Sequence, residues 1–182
     1  MAGRFDIDAY RANFQGGARQ YLFYFKPNFP GGVAGANPEV ATYLVRATTL
    51  PETIMDEIIL NWQGYDFKVA GKYTYSDWTV TFNVDIDVKI QQMFHNWTTL
   101  IHDPTTNIHS QPTTYFADQQ IELLGLDGMP VQKYKLLGAW PKSIGQVTLD
   151  YSSNDVVQFD VTFTYIYHTT DAGKYGKAPT YA

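Results

Sequence analysis

The chain has 182 residues, enough for one domain with a sizeable core, and its formal net charge of -5 argues against a protein that grips nucleic acid through clustered Lys and Arg. It contains no cysteine, which excludes a disulfide framework and any cysteine-based metal site or nucleophile. Aromatic residues are abundant, with 14 Tyr, 11 Phe and 4 Trp, and such residues favour both β-sheets and protein interfaces.

The N-terminal part predicts an arm, a strand and a loop. Residues 1–18 are polar and contain glycines, so we expect a flexible arm, either disordered or exchanged with a neighbouring copy. A first strand is predicted at 19–25, and the proline- and glycine-rich segment 27–39 predicts a loop. There is no apolar signal sequence and no run of eighteen apolar residues, so a soluble protein made in the cytoplasm is expected.

The next part predicts three strands and a protrusion. Strands are expected at 40–51, which Pro51 ends, and at 54–62. Segment 61–73 mixes turn formers with aromatic side chains, a combination that predicts a long protruding hairpin or loop. Apolar and polar residues alternate in 76–87, as in a half-buried strand. The apolar set is Trp78, Val80, Phe82, Val84 and Ile86.

One helix is predicted, at 88–102, because the apolar period changes from two to three or four. Asp85 or Asp87 can cap its first turn, and Pro104 prevents it from continuing. The segment 103–116 is predicted to be a loop. The apolar positions of the helix are Ile90, Phe94, Trp97 and Ile101, with Met93 and Leu100 beside them.

A hairpin is predicted after this loop, at 120–137, turning around Asp127 and Gly128, although its leucine-rich half could be helical. Segment 138–145 is then expected to turn the chain into a strand at 146–151.

The last strand is predicted at 155–168, where apolar side chains alternate with Gln, Asp and Thr, and 169–182 are expected to form a polar tail. One β domain therefore spans 19–168. Its fold class is mainly β, a two-sheet sandwich or barrel with one flanking helix.

Candidate chemical motifs are weak throughout. AGKY occurs at 70–73 and 172–175, but neither copy has the glycine spacing and following Ser or Thr of a phosphate-binding loop. His95 and His102 lie two helical turns apart, over about 10 Å, which is too far to share one metal ion. No nucleophile has the context of a catalytic site. We predict no enzyme activity, no metal and no cofactor.

The polar faces of the two alternating strands, 76–87 and 155–168, contain Thr, Asn, Gln and Asp but no Lys or Arg. Free strand edges are normally protected by Lys, Pro or a bulge, so we expect the edges of these strands to be occupied. A monomer could occupy them by closing into a barrel, and an oligomer by joining sheets across subunits.

The order of these features resembles the tail tube proteins of contractile-tailed bacteriophages, from about residue 16 to 168. The resemblance is strongest in DWTVTFNVD followed by a helix ending FHNWTTLIHD, and in WPKSIGQVTLDYSSNDVVQFDVTFTY. GGARQYLFYF and TTLPE precede these stretches in the same order. The segment 27–39 and the residues after 168 depart from the family pattern.

The resemblance implies a two-sheet β fold with a flanking helix, in which six copies form a ring whose inner wall is one continuous barrel. Rings would stack into a hollow tube that conducts DNA from capsid to host. The implied partners are the sheath outside, the tape-measure protein and DNA in the lumen, and baseplate and tail terminator proteins at the ends. The implied location is the virion tail, assembled in the host cytoplasm, without membrane insertion.

Two sets of residues are assigned from this resemblance. The polar faces of the alternating strands are expected to line the lumen, and the protruding segment is expected to reach the adjacent ring. The lumen set is Thr79, Thr81, Asn83, Asp160, Thr162 and Thr164. The inter-ring set is Trp62, Tyr65, Phe67 and Lys68.

Two alternatives to a phage tail tube remain open at this point. The first is the inner tube of a non-phage contractile injection system. The second is a monomeric β-barrel that binds an apolar or sugar ligand and is lined by Tyr and Trp.

Overall fold

The computed structural model describes residues 6–14 and 16–172, and its architecture is mainly β. The helices are α1 (Ile7–Phe14), α2 (Pro38–Leu44), α3 (Lys89–Ile101) and α4 (Pro112–Tyr115). The strands are β1 (Phe23–Lys26), β2 (Val45–Thr48), β3 (Thr53–Trp62), β4 (Tyr65–Tyr75), β5 (Trp78–Asn83), β6 (His102–Asp103), β7 (Ile108–His109), β8 (Ala117–Leu124), β9 (Pro130–Ile144), β10 (Gln158–Thr164) and β11 (Tyr167–Ala172).

Strand β9, fifteen residues long, connects two antiparallel sheets. Its first part, 130–139, pairs with β8 on one side and β11 on the other. Its last part, 140–144, pairs with β10. Sheet A therefore has the order β1-β8-β9-β11, and sheet B has the order β9-β10-β5-β2. The strand-rich, two-sheet fold class predicted from the sequence is confirmed.

The hydrophobic core lies between the buried face of sheet B, helix α3 and strand β1. Strands β5 and β10 contribute alternate residues, of which Phe82 packs against Phe94 of the helix with ring centroids 5.1 Å apart. Burying each such side chain stabilises the fold by roughly 1.5–3 kcal/mol. The buried residues of the two strands are Trp78, Val80, Phe82, Phe159, Val161 and Phe163, as the alternation predicted.

Helix α3 begins and ends close to its predicted limits. The carboxylate of Asp85 accepts hydrogen bonds from the backbone N–H groups of Lys89, at 3.2 Å, and Ile90, at 3.0 Å. Asp85 thus satisfies free donors of the first turn, whereas Asp87 binds the Lys89 ammonium. The helix ends at Ile101, and His102 is already extended.

The predicted strand at 40–51 is wrong in its first half, because residues up to Leu44 belong to helix α2. The helix starts at a favourable signal: the side chain of Asn37 accepts a hydrogen bond from the Val40 N–H at 3.2 Å, and Pro38 opens the first turn. An Asn cap and a proline in the first turn are both strong start signals. Only Val45–Thr48 is a strand.

The predicted turn at 138–145 and strand at 146–151 are also wrong. Strand β9 continues to Ile144, and 146–151 form no strand. Pro141 is tolerated because the register of β9 against β10 shifts at this point, between Thr162 and Phe163. The hairpin predicted at 120–137 is confirmed as strands β8 and β9, and its leucine-rich half is extended.

The single strand predicted at 155–168 is divided into two. Strand β10 ends at Thr164, and β11 begins at Tyr167 on the other sheet, so the chain crosses from sheet B to sheet A at Tyr165 and Ile166. At the ends of the chain, the predicted arm contains the exposed helix α1. Residues 169–172 of the predicted tail belong to β11, and 173–182 lie outside the described residues.

Candidate assembly surfaces

The six residues predicted to line a lumen lie together on the polar face of sheet B. Direct pairing of β5 with β10 places Thr79 opposite Thr162 and Thr81 opposite Asp160. The hydroxyl oxygens of Thr79 and Thr162 are 3.2 Å apart, and Thr81 donates to Asp160 at 2.6 Å. Asn83 and Thr164 complete the row on the same face, which is opposite the buried core face. The face is thus a continuous band of hydroxyl, amide and carboxylate groups.

Two basic residues lie on this side of sheet B that the sequence did not predict there. Lys142 on β9 donates to Asp77 at 2.6 Å, and Thr164 donates to the second oxygen of Asp77, also at 2.6 Å. These hydrogen bonds hold the pKa of Asp77 below its ordinary value, and the bond from Lys142 has the larger effect. Arg46 on β2 lines a groove with Asn83 and Gln158. No sequence signal placed Lys142 here, because 138–145 resembled a turn.

Sheet B is open at both of its edges within the described part of the chain. Strand β2, at one end of the order, pairs with β5 on one side. At the other end, the last part of β9, 140–144, pairs with β10, while β8 and β11 pair only with its first part. Both edges present backbone groups that can hydrogen bond to another strand.

The segment 53–75 is a long exposed hairpin, as predicted for 61–73. Strands β3 and β4 pair along their lengths and turn at Gln63 and Gly64, whose φ angles are 48° and 86°. Two successive positive φ angles are typical of the type I′ turn, whose twist matches paired strands. Every residue of β3 is exposed, so the hairpin projects from the body instead of packing on it.

The hairpin has one apolar face and one largely polar face. Opposed pairs share a face, so Ile58 with Val69, Leu60 with Phe67 and Trp62 with Tyr65 form one apolar surface. Of this surface, Trp62 is 71% exposed, Tyr65 80% and Phe67 63%. Three of the four predicted inter-ring residues therefore lie together.

The fourth predicted inter-ring residue, Lys68, lies on the opposite face of the hairpin. There its ammonium binds Glu57 at 2.9 Å, and the side chain of Asn61 donates to Asp66. Strict alternation explains the separation, because Lys68 follows Phe67 in the strand.

A cluster of aromatic rings joins the base of the hairpin to sheet A. His168 on β11 lies 3.2 Å from the Thr53 hydroxyl through Nε2, and its ring meets that of Tyr75 edge-on at 5.3 Å. Tyr134 and Tyr165 lie on its other sides, at 6.2 and 6.0 Å. Burial lowers the pKa of His168 and raises the pKa of Tyr165 to about 12. The Tyr165 hydroxyl and His168 Nδ1 are buried without a hydrogen-bond partner among the described residues.

Metal-binding residues do not converge in the described ranges 6–14 and 16–172, which contain no group of three or more candidate ligands. Strands β6 and β7 bring His102 next to His109, with ring centroids 5.6 Å apart. The sequence predicted His95 and His102 on one helix, two turns apart. Helix α3 ends at Ile101, so His95 lies on the helix and His102 belongs to β6.

Residues 23–171 match the family described as phage tail tube protein. The chain belongs to this family. The tail tube protein gp19 of Enterobacteria phage T4 is 30% identical over 129 residues, which are 69% of this chain and 79% of that protein. The tail tube protein of Serratia phage KSP90 is 27% identical over 159 residues, 86% of this chain and 90% of that protein. Phage tail tube proteins are structural components of the virion tail, and so is this chain.

Solved structures of contractile systems share the fold. A chain in the baseplate of the anti-feeding prophage superposes with a TM-score of 0.62 at 16% identity, covering 81% of this tail tube protein and 91% of that chain. A chain in the sheath-tube complex of the extracellular contractile injection system PVC gives a TM-score of 0.60 at 16% identity, covering 85% and 91%. None of the helices in the described residues combines the length and the apolar character needed to cross a membrane.

Proposed function

We propose that this tail tube protein assembles into six-membered rings that stack into a hollow tube for DNA. The observation that carries the proposal is sheet B, which among the described residues is open at both edges, buried on one face and polar on the other. A sheet of this kind is completed by joining equivalent sheets in a closed ring, which removes every free edge. The curated relatives are phage proteins, which favours DNA as the cargo over the cargo of another injection system.

The width of such a ring supports an open channel. Six copies of the four-stranded sheet B make a barrel of 24 strands. Barrels of about eight strands are filled by their side chains, whereas those of about 16–18 strands enclose a water-filled channel. The proposed wall is thus wide enough to remain open, and it presents Thr79, Thr81, Asn83, Asp160, Thr162 and Thr164 to the lumen.

The hairpin formed by β3 and β4 is the proposed contact between rings. Its apolar face carries Trp62, Tyr65 and Phe67, which are mostly exposed in the single chain. Contiguous exposed apolar surface of this kind marks interaction sites. Lys68 lies on the other face and pairs with Glu57, so in this proposal it stabilises the hairpin and contributes to stacking only indirectly.

The remaining partners follow from the setting of the structural relatives. One relative was solved in a sheath-tube complex and another with a sheath/tube terminator. By analogy, this chain contacts a sheath protein on the outside and baseplate and terminator proteins at the tube ends. The tape-measure protein and DNA would occupy the lumen. The role is structural, with no catalysis and no cofactor.

Size-exclusion chromatography with negative-stain electron microscopy tests the proposal on the full chain. Six-membered rings or tubes are the expected particles. A single particle near 20.7 kDa at every concentration would overturn it and return the monomeric ligand-binding barrel to consideration. Sheet B is not closed within the described chain, which speaks against that alternative.

A further inference from the structure

The carboxylate of Asp77 is shared between a basic and a hydroxyl side chain on the polar face of sheet B. Lys142 Nζ lies 2.6 Å from one carboxylate oxygen, and Thr164 Oγ1 lies 2.6 Å from the other. This is the one ion pair of Lys142 within the described residues. The Lys142 side chain is 55% exposed and that of Asp77 37%, so water reaches the pair from the face proposed to line the lumen.

We infer that Asp77 is a positioning residue. It holds the Lys142 ammonium in an ion pair at the channel wall, so that DNA passes without being held by this cation. The inference rests on the proposed function, because it requires sheet B to line the lumen. Thr164 contributes by fixing the second carboxylate oxygen, which leaves the first directed at Lys142. Three segments thereby cooperate: the β4–β5 connection, β9 and β10.

Counterion release explains why a free lysine would matter at this position. Each cation that contacts a phosphate displaces a condensed counterion, and its contribution to affinity rises about eightfold for each tenfold fall in salt. A residue in the wall is repeated six times in every ring, so DNA would meet such contacts along the whole tube. An ion pair that water reaches adds little to folding stability, so the role inferred for Asp77 concerns the surface potential of the wall.

Arg46, the other basic residue on this side of sheet B, is not part of the arrangement inferred for Asp77 and Lys142. It lies on β2, at the opposite edge of sheet B from Lys142. Its groove is lined by Asn83, Gln158 and the segment 146–157, beside the edge at which the next copy would join.

The test uses particles whose tails carry Asp77→Asn, which keeps the size and one acceptor oxygen but removes the charge. DNA ejection time is measured in low and high salt for wild type, Asp77→Asn, Lys142→Met and the double variant. We expect Asp77→Asn to slow ejection several-fold in low salt, with recovery in high salt. Lys142→Met and the double variant should eject at the wild-type rate, because the cation is gone.

Three results would overturn the inference. Ejection of Asp77→Asn particles at the wild-type rate in low salt would show that the carboxylate does not restrain a cation in the lumen. A delay that is independent of salt, or that Lys142→Met does not reverse, would assign Asp77 a structural role. If Asp77→Asn tails do not form, mixed tails of Asp77→Asn and wild-type subunits are measured instead. Absence of the salt-dependent delay in these mixed tails would also overturn the inference. Failure of the wild-type chain to form rings would instead refute the proposed function.

Discussion

The side chain of Ile166 occupies the space beside Gly138 into which a β-carbon would project, where the chain crosses from sheet B to sheet A. A β-carbon on Gly138 would lie 2.7 Å from Cδ1 of Ile166, and Gly138 has a φ of 62°. The Ile166 N–H donates to the Leu137 carbonyl at 3.0 Å, so the crossing is held by both a hydrogen bond and close packing. Glycine meets both requirements, because it has no side chain and adopts positive φ freely.

Gly138→Ala is therefore expected to destabilise the fold by about 1–2 kcal/mol, which is the cost of the left-handed conformation for a non-glycine residue. The end of the Ile166 side chain, which is 58% exposed, must also move aside for the added methyl group. The thermal midpoint at fixed protein concentration measures the loss. Gly31→Ala is the matched control, since nothing lies within 4 Å of its β-carbon position. Equal midpoints for the two variants would contradict the account of the crossing.

The apolar face of the hairpin is expected to be needed for stacking but not for ring formation. Trp62→Ser with Phe67→Ser removes two large side chains from that face, each of which contributes roughly 1.5–3 kcal/mol when buried. Negative-stain images should show single rings in place of tubes.

The control for the hairpin places the same number of substitutions on the opposite face, as Asn61→Ser with Lys68→Ser. These variants should still form tubes, because that face is polar and ion-paired. Tubes of normal length from the Trp62/Phe67 variant would count against the hairpin as the ring-to-ring contact.

Thr162→Lys is expected to leave assembly intact and to slow DNA. Thr162 is half-buried on the polar face and its hydroxyl lies 3.2 Å from that of Thr79, so the substitution costs that contact and about as much stability as other surface changes, which is less than the fold can lose. One added cation per subunit, by contrast, gives six new phosphate contacts in each ring. Ejection from particles with normal tails should be slower, and more so in low salt. Thr162→Gln is the uncharged control of similar reach. An unchanged rate for the lysine variant would place Thr162 away from the lumen.

Acidification is expected to weaken the attachment of the hairpin to the body through His168. Burial lowers the pKa of His168 in the folded chain, so the unfolded chain takes up a proton at higher pH, near the ordinary value of 6.5. Stability is then unaffected above that value and falls as the pH drops below it, towards the folded-state pKa. Thermal midpoints between about pH 7.5 and 5 measure the fall.

His168→Gln should flatten this pH dependence, because glutamine cannot take up the proton. His95→Gln, on the exposed side of α3, is the control and should retain the wild-type slope. The groups facing His168 are Thr53, Tyr75, Tyr134 and Tyr165. A His168→Gln slope equal to that of wild type would assign the pH dependence to other groups.

Patterns that depend on local geometry could be predicted from the sequence alone. Alternation gave the faces of 78–83 and 158–164, and the change of period gave helix α3 with Asp85 or Asp87 at its start. Turn formers among aromatic side chains gave the protruding hairpin. These signals hold because side-chain direction repeats every two residues in a strand and every 3.6 residues in a helix, whatever else the chain contacts.

Pairing between distant segments was decided only by the tertiary structure. The sequence of 138–144 does not show that β9 continues past Pro141. This part of the strand is held by its pairing with β10, which follows more than ten residues later in the chain. The division of 155–168 between two sheets depends likewise on the contact of Ile166 with Gly138. Lys142 reached the polar face beside Asp77 for the same reason. Each of these features is stabilised by partners far along the chain, and local sequence periodicity carries no information about them.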